Sequence, residues 1–580
     1  MTLMIQPIPS VMVCLSLVLP GSLAGCNNPD VTNREADLSF VDVTQQAGLG
    51  DFRHETGAFG EHWFPESMGS GGGFIDYDGD GWQDILVIGG GTWPQSGMDP
   101  VPPLWLFRNN GDGTFSLRTQ ETGLADVDAY GSGMTVADYD NDGDEDFYFT
   151  TLAENMLFRN DGGTFTEVGI TAGVAGEPVW SSSAAFFDAD RDGWLDLYVG
   201  NYVAWTPETD RFCSLDGVHK SYCTPEAYEG IPSRFYHNDG DGTFSDSSER
   251  AGIWPAPGKT LGVVALDFNH DSWPDLMIAN DTEADQLYVN AGDGTFIERG
   301  AVSSVAYDEH GKARAGMGVD AGIVDSTGAV TVFVGNFSKE MIGVYRYLGN
   351  GLFTDRAAAS RIGRPSLMTL TFGLFLADVD LDGDLDVFAA NGHVQPDIEQ
   401  TQEGIYHAEP PHLFMNDGGG RFEDRAMYVP AFTRALVARG AAFADYDRDG
   451  DVDILATEND GPMHLWRNEV QRRGPYLRVH TRGTTSNRDG VGTRIVAMIG
   501  TYRMERYVRA GSSYLSHSEK AVTFGLGAAR QLDSLVLHWP SGQVDRFADV
   551  AGYQDIRVAE GSEVLERLAR PDREDVTAEQ

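Results

Sequence analysis

Basic residues are scarce in this chain: 41 Lys and Arg stand against 88 Asp and Glu, a formal net charge of −47. Phosphate binding needs basic surface, so nucleic acid is excluded as an expected partner. No segment has 18 consecutive apolar residues, so no helix is expected to span a bilayer. Cysteines number only four, at 14, 26, 213 and 223. No His or Cys cluster surrounds Cys213 and Cys223, which leaves a disulfide across a loop in an oxidising compartment as the reading of that pair. What the chain has in excess is glycine, 70 residues spread along its length, which points to many tight turns. Its acids fall into short repeated clusters, and a solvated surface does not require such clustering.

The N-terminus carries an apolar stretch, Val11 to Leu19, too short to cross a bilayer and suited to the h-region of an export signal. Leu23-Ala24-Gly25-Cys26 resembles the bacterial lipobox, although residues 1–10 lack the Lys or Arg of a basic n-region. The expectation is a signal peptide over 1–26, lipidation at Cys26 and a linker over 27–38. Asn27 stands where an Asp would signal inner-membrane retention, so an outer-membrane or cell-surface lipoprotein is expected. An ordinary cleaved signal, giving a periplasmic or secreted protein, is the alternative.

Self-similarity decides the fold class. Six segments share the form D-x-[DN]-x-D-[GS]-x-x-D followed by an apolar run: 76–84, 138–146, 188–196, 267–275, 378–386 and 445–453. A worn copy lies at 323–331, between the fourth and the last of these. The seven starts are separated by 62, 50, 79, 56, 55 and 67 residues, about one propeller blade each. A second motif follows each loop, clearest in Leu106-Phe-Arg-Asn-Asn-Gly-Asp-Gly-Thr-Phe115: a strand, an Asn/Gly turn and a new strand beginning at Phe. The last copy stops at Asn468, and the missing strand stands at the other end as Phe40-Val-Asp-Val-Thr44. A first strand that completes the last blade closes a ring and removes free sheet edges. The predicted fold is therefore all-β: a seven-bladed β-propeller over 39–470, then a small C-terminal β-domain over 474–566 and a disordered tail over 567–580.

Calcium wants six to eight oxygens, and positions 1, 3, 5 and 9 of each loop offer carboxylates while Gly at position 6 permits the turn. Position 12 is Val87 or Phe149 rather than the bidentate Glu of an EF-hand, and the flanks read as strands. The predicted Ca2+ ligands are Asp76, Asp78, Asp80 and Asp84; Asp138, Asp140, Asp142 and Asp146; Asp188, Asp190, Asp192 and Asp196. They continue with Asp267, Asn269, Asp271 and Asp275; Asp378, Asp380, Asp382 and Asp386; Asp445, Asp447, Asp449 and Asp453. About six sites are expected. The fourth is weakened by Asn269 and Ser272, and the fifth repeat, which keeps only Asp325, is expected to be empty.

These loops and strands resemble FG-GAP/VCBS repeats, similar to the blades of integrin α-subunit propellers. Asn487-Arg-Asp-Gly-Val-Gly-Thr-Arg494, Gly511-Ser-Ser-Tyr-Leu-Ser-His517, Phe524-Gly-Leu-Gly527 and Trp539-Pro-Ser-Gly542 resemble the ASPIC/UnbV domain. The combination is similar to the cartilage acidic protein family, with bacterial members. That resemblance implies calcium-dependent adhesion or ligand binding without naming a ligand.

Antiparallel strands alternate direction, so the Asp turns share one face and the long insertions 89–104, 201–234 and 391–412 share the other. The insertions carry Trp93, Tyr202, Trp205, Tyr222, Tyr228 and Tyr406, read as exposed aromatics of a face for a protein or glycan ligand, with mutual packing of the loops as the alternative. An enzyme using His54, His62, Glu66 and His393 near the axis, or an envelope assembly protein, are the rival readings; no catalytic residue is assigned. Ser516, His517 and Ser518 read as a turn.

Overall fold

The computed structural model describes residues 38–470 and 474–569. The expected signal peptide with Cys26, the linker before residue 38 and the tail from 570 lie outside the described residues.

Seven four-stranded antiparallel sheets follow one another along residues 40–468. In each, an apolar first strand runs into the Asp loop and the second strand runs out of it: Gly72–Ile75 into Asp84–Ile88 in the first sheet, Gly131–Ala137 into Asp146–Thr151 in the second. Both strands are buried along their whole length; the second is a β-branched or aromatic run, as burial on both faces requires, whereas the first begins with Gly and Ser. The seventh sheet contains Ala438–Ala444, Asp453–Glu458 and Met463–Asn468, and its fourth strand is Phe40–Asp42, paired Phe40 to Asn468. First strands of consecutive sheets pack side by side, and the seventh packs on the first.

The Asn of the strand-turn motif ties six of the seven sheets, all but the fifth, to the one before it. Asn160 Nδ2 donates to Tyr77 O, Asn238 to Tyr139 O, Asn290 to Ala189 O, Asn416 to Val324 O and Asn468 to Val379 O. Asn109 donates to Tyr446 O of the seventh sheet. Each amide is buried, so the bond also satisfies a polar group that water does not reach.

Residues 476–567 build two further four-stranded sheets, one with a parallel pair joining Tyr476–Arg482 to Gln554–Ala559. The strands expected near 476, 494, 502, 521 and 535 are all present; Val544–Ala551 and Gln554–Ala559 were not foreseen. The expected tail begins inside a short strand, Glu566–Arg567.

This C-terminal domain is joined to the seven sheets in one body. Its Gly511–His517 segment runs between their first strands. Ser513 N donates to Val319 O and Ser513 Oγ to Ala441 O. Leu515 N donates to Ser183 Oγ, and Leu515 O accepts from Met134 N. Leu374 N donates to Ser513 Oγ, and Phe74 N to His517 O. Six of the seven first strands are therefore hydrogen-bonded to one short segment. Glycines make room for it: a Cβ on Gly71 would lie 1.7 Å from Leu515 O, and one on Gly73 would lie 2.1 Å from His517 O.

Candidate metal centres and the two faces of the sheet array

Each Asp loop is organised by its own carboxylates. At position 1, Asp138 accepts from Asp142 N and Gly143 N at 3.0 and 2.8 Å, and Asp445 accepts from Asp449 N and Gly450 N, both at 2.9 Å. At position 9, Asp84 accepts from Tyr77 N at 3.2 Å and Asn109 N at 2.6 Å, which pins the loop to the third strand. Asp146, Asp196, Asp386 and Asp453 repeat this pair of bonds.

Oxygens left over point inward. Asp76 Oδ1, Asp140 Oδ1, Asp275 Oδ2 and Asp378 Oδ1 are buried with no hydrogen-bond donor. One oxygen from each member of Asp76, Asp78 and Asp84 lies within 4.8 Å of the others, and the same holds for Asp138, Asp140 and Asp146, for Asp188, Asp190 and Asp192, and for Asp378, Asp380 and Asp386. Burial pushes Asp84 and Asp146 up to about 9. Burial and then Glu145 push Asp76 to about 7. Groups this reluctant to carry charge alone suit a compensating dication, and the all-oxygen donor set fits a hard one such as Ca2+.

The loops are not equivalent. In the first, Arg108 bonds the outer oxygens of Asp78 and Asp80 at 2.5 and 2.7 Å. In the fourth, Asn269 spends its amide on Asp271 Oδ2. In the worn fifth copy, Arg346 holds Asp325 Oδ2 at 3.0 Å and Thr327 Oγ1 at 2.7 Å, so a guanidinium already compensates the one remaining carboxylate.

The Asp face carries the C-terminal domain. The left-handed residue at loop position 4 makes the contact in five loops. Asn141 accepts from Arg488 N, Arg191 donates to Pro540 O, and His270 meets Tyr507 Oη. Leu381 O accepts from Gly527 N, and Arg448 donates to Ala569 O. Ion pairs join them: buried Arg478 bridges Asp445 and Glu519, while the partly buried Arg509 holds Asp320 and the partly buried Lys520 reaches Glu145 and Asp489.

On the opposite face the reading of exposed aromatics needs correction. Trp93, Trp205 and Tyr228 are buried, as is Tyr202. They pack in one cluster with Trp63, Phe64 and Trp180: Trp63 lies 4.9 Å from Trp93 and 5.8 Å from Trp205, and Phe64 stacks on Tyr228 at 5.5 Å. The long loops cover one another, because indole and phenol rings gain more from mutual burial than from water. Tyr222 is partly buried and donates to Glu66 Oε2. Tyr406 is 57% exposed, as expected. Sequence reasoning missed the exposed apolar side chains beside the Cys213–Cys223 disulfide, Phe212 just before it at 66% and Val218 inside the loop it closes at 72%.

Of the histidines in the rival enzyme reading, His54 and His393 bond the backbone, and His62 packs edge-on against Tyr222 with ring centroids 5.2 Å apart. His54 Nδ1 accepts from Asp460 N and His393 Nδ1 from Gln395 N, while burial pushes both down to about 3. His517 Nδ1 accepts from Val136 N inside the array.

Comparison with known proteins agrees with this architecture. Residues 76–149, 146–199 and 228–278 match the FG-GAP-like repeat family, and residues 483–564 match the family described as ASPIC and UnbV. Domains of these kinds are generally non-catalytic propeller or adhesion modules. The chain is 25% identical over 448 residues to cartilage acidic protein 1 of Homo sapiens, which covers 73% of this chain and 61% of the human protein. Its counterpart in Xenopus tropicalis is 23% identical over 446 residues, with 73% and 63% covered. The chain thus spans about three fifths of the length of the curated relatives it matches. Among solved structures, an Agrocybe aegerita lectin that recognises terminal N-acetylglucosamine aligns with TM-score 0.38 and 16% identity, over 67% of this chain and 85% of that one. A Bacillus licheniformis rhamnogalacturonan lyase aligns with TM-score 0.36 and 13% identity, over 74% and 75%. Scores this low carry no argument about ligand.

Proposed function

We propose that this protein is an exported, closed seven-bladed β-propeller, stabilised by Ca2+ in six Asp loops, that binds an extracellular protein or glycan through its long-loop face. The observation that carries the choice of face is the coverage of the Asp loops by the C-terminal domain. The loops beyond the outgoing strands are thereby left as the open end, with Phe212, Leu215, Val218 and Tyr406 exposed on it. Closure of the ring is supported by the Phe40–Asn468 pairing and by the Asn109 bond to Tyr446 O. Calcium is supported by the convergent, donorless carboxylate oxygens, and the residues fit it. When bound, the ion would neutralise carboxylates that otherwise repel one another and would hold both ends of each hairpin. A lipid on Cys26 would tether the protein to a membrane.

The test is capture of envelope or matrix components by the immobilised protein, with and without chelator. Expected are chelator-sensitive capture and its loss on Phe212→Ser with Val218→Ser. Capture unchanged by both treatments would remove the reading. Metal analysis should give six Ca2+ per chain, with thermal stability rising on addition; one site at a hundredfold excess over Kd contributes about 2.7 kcal/mol.

A further inference from the structure

The third Asp loop differs from its siblings in the side chain that reaches it from the neighbouring strand. The residue before the motif Asn is Arg108, Arg159 and Arg467 in the first, second and seventh sheets, and Arg346 holds the equivalent register in the fifth. The fourth and sixth sheets have Val289 and Met415 there. In the third sheet the residue is His237, opposite Ser245. Where an arginine can only compensate charge, an imidazole can also donate a nitrogen lone pair to a metal.

The geometry is already gathered. His237 Nδ1 lies 2.9 Å from Asp196 Oδ1 and 3.8 Å from Asp190 Oδ2. One donor atom each from Asp190, Asp196 and His237 lies within 4.8 Å of the other two, and both carboxylate distances from His237 fall inside the roughly 4.2 Å that two bonds near 2.1 Å to one ion can span. Asp196 is buried and anchored by Ala189 N and Asn238 N, whereas Asp190 and His237 are partly exposed, so the site is rigid on one side and open on the other. The second triple in the same loop, Asp188, Asp190 and Asp192, is all oxygen and shares Asp190.

We infer that the third loop is a mixed nitrogen–oxygen site that takes a first-row transition dication, of the Mn2+, Co2+ or Zn2+ class, through Asp190, Asp196 and His237. The inference rests on the reading of the Asp loops as cation sites and deepens it for one of them. Carboxylates alone favour hard ions, and one imidazole shifts a site along the Irving–Williams order toward Zn2+. The ion and the proton that His237 shares with Asp196 in its absence occupy the same space, so one replaces the other. Because Asp190 serves both triples, the transition ion and a calcium ion in this loop compete.

The full chain, freed of metal, would be saturated with Ca2+ and titrated with Co2+, followed by visible absorption and by metal analysis after gel filtration. The expected result is one retained Co2+ per chain, a ligand-field band of a nitrogen-containing site, and release of about one Ca2+. His237→Arg installs the residue that four other sheets carry in this register, so it should fold; it should weaken Co2+ retention at least tenfold and leave total Ca2+ unchanged. His237→Gln serves as the second variant. A chain that binds Ca2+ but retains no Co2+, or retains it equally in both variants, overturns this inference alone. A chain that binds no Ca2+ overturns the wider reading of the loops.

Discussion

Leu515 is the place to test whether the C-terminal domain holds the sheet array together. Its side chain is 3% exposed and sits in the same apolar cluster as Trp63, Trp93, Trp180 and Trp205. A Cβ on Gly133 would lie 2.9 Å from Leu515 Cα, so little space exists for the surroundings to relax inward. Leu515→Ala should therefore pay both the lost transfer term and most of the cavity term, about 3 kcal/mol. Leu515→Met keeps volume and should cost less than about 1.5 kcal/mol. Both are read in urea unfolding followed by tryptophan fluorescence, which reports the shared cluster, and by far-ultraviolet circular dichroism. If the segment locks six sheets to the C-terminal domain, both probes move together in the parent chain and shift together in the alanine variant. An unchanged midpoint for Leu515→Ala, or probes that separate in the parent, would refute the lock.

Three further outcomes follow from buried groups. Arg478→Met strips the counter-charge from Asp445 and Glu519, both buried, and should lower stability by about 3–5 kcal/mol in denaturant titration, with added Ca2+ recovering part of the loss. Burial pushes Glu409 up to about 8, so the folded state holds its proton longer than the unfolded one. The stability it contributes is fully present below its unfolded value near 4.5 and is lost as pH rises through 8; Glu409→Gln should flatten that decline in a pH series of melting temperatures. Trp205→Ala should cost about 3–5 kcal/mol by calorimetry, because the indole is core and its Nε1 donates to Asp210.

What the sequence made legible was local and periodic. Each Asp loop carries its ligands within nine residues, and each closing strand announces itself by an Asn/Gly turn and a Phe, so seven units and the circular offset through Phe40 could be read directly. What escaped depended on residues far apart in the chain. Loop position 4 reads as Gly79, Asn141, Arg191, His270, Leu381 or Arg448 and looks unconstrained, yet in five loops it is the docking contact for the C-terminal domain. The signal that could have exposed the central segment was the run of Gly and Ser in the first strands, at 70–73, 131–133 and 181–183, where β-formers are expected. The aromatics of the long loops were misjudged because side-chain type cannot distinguish a ring facing water from one facing another ring.

The coverage of the Asp face changes what the acidity of the chain is for. Carboxylates crowded onto one face would repel each other and any domain placed on top. Two kinds of positive charge answer them. In the loops at 76–84, 138–146, 188–196 and 378–386 the carboxylates converge closely enough to suit a dication. In the fifth unit, where the carboxylates have gone, Arg346 binds Asp325 from within the sheet and Arg509 binds Asp320 from the C-terminal domain. Arg478, buried, and Lys520, partly buried, bring further cations from the same domain to Asp445 and Glu145. The docked domain is thus itself a counter-charge, and its attachment and the occupancy of the loops act on one electrostatic problem. Removing cations should therefore loosen the domain as well as the hairpins, and the worn fifth repeat is the unit in which the protein's own arginines have taken over that task.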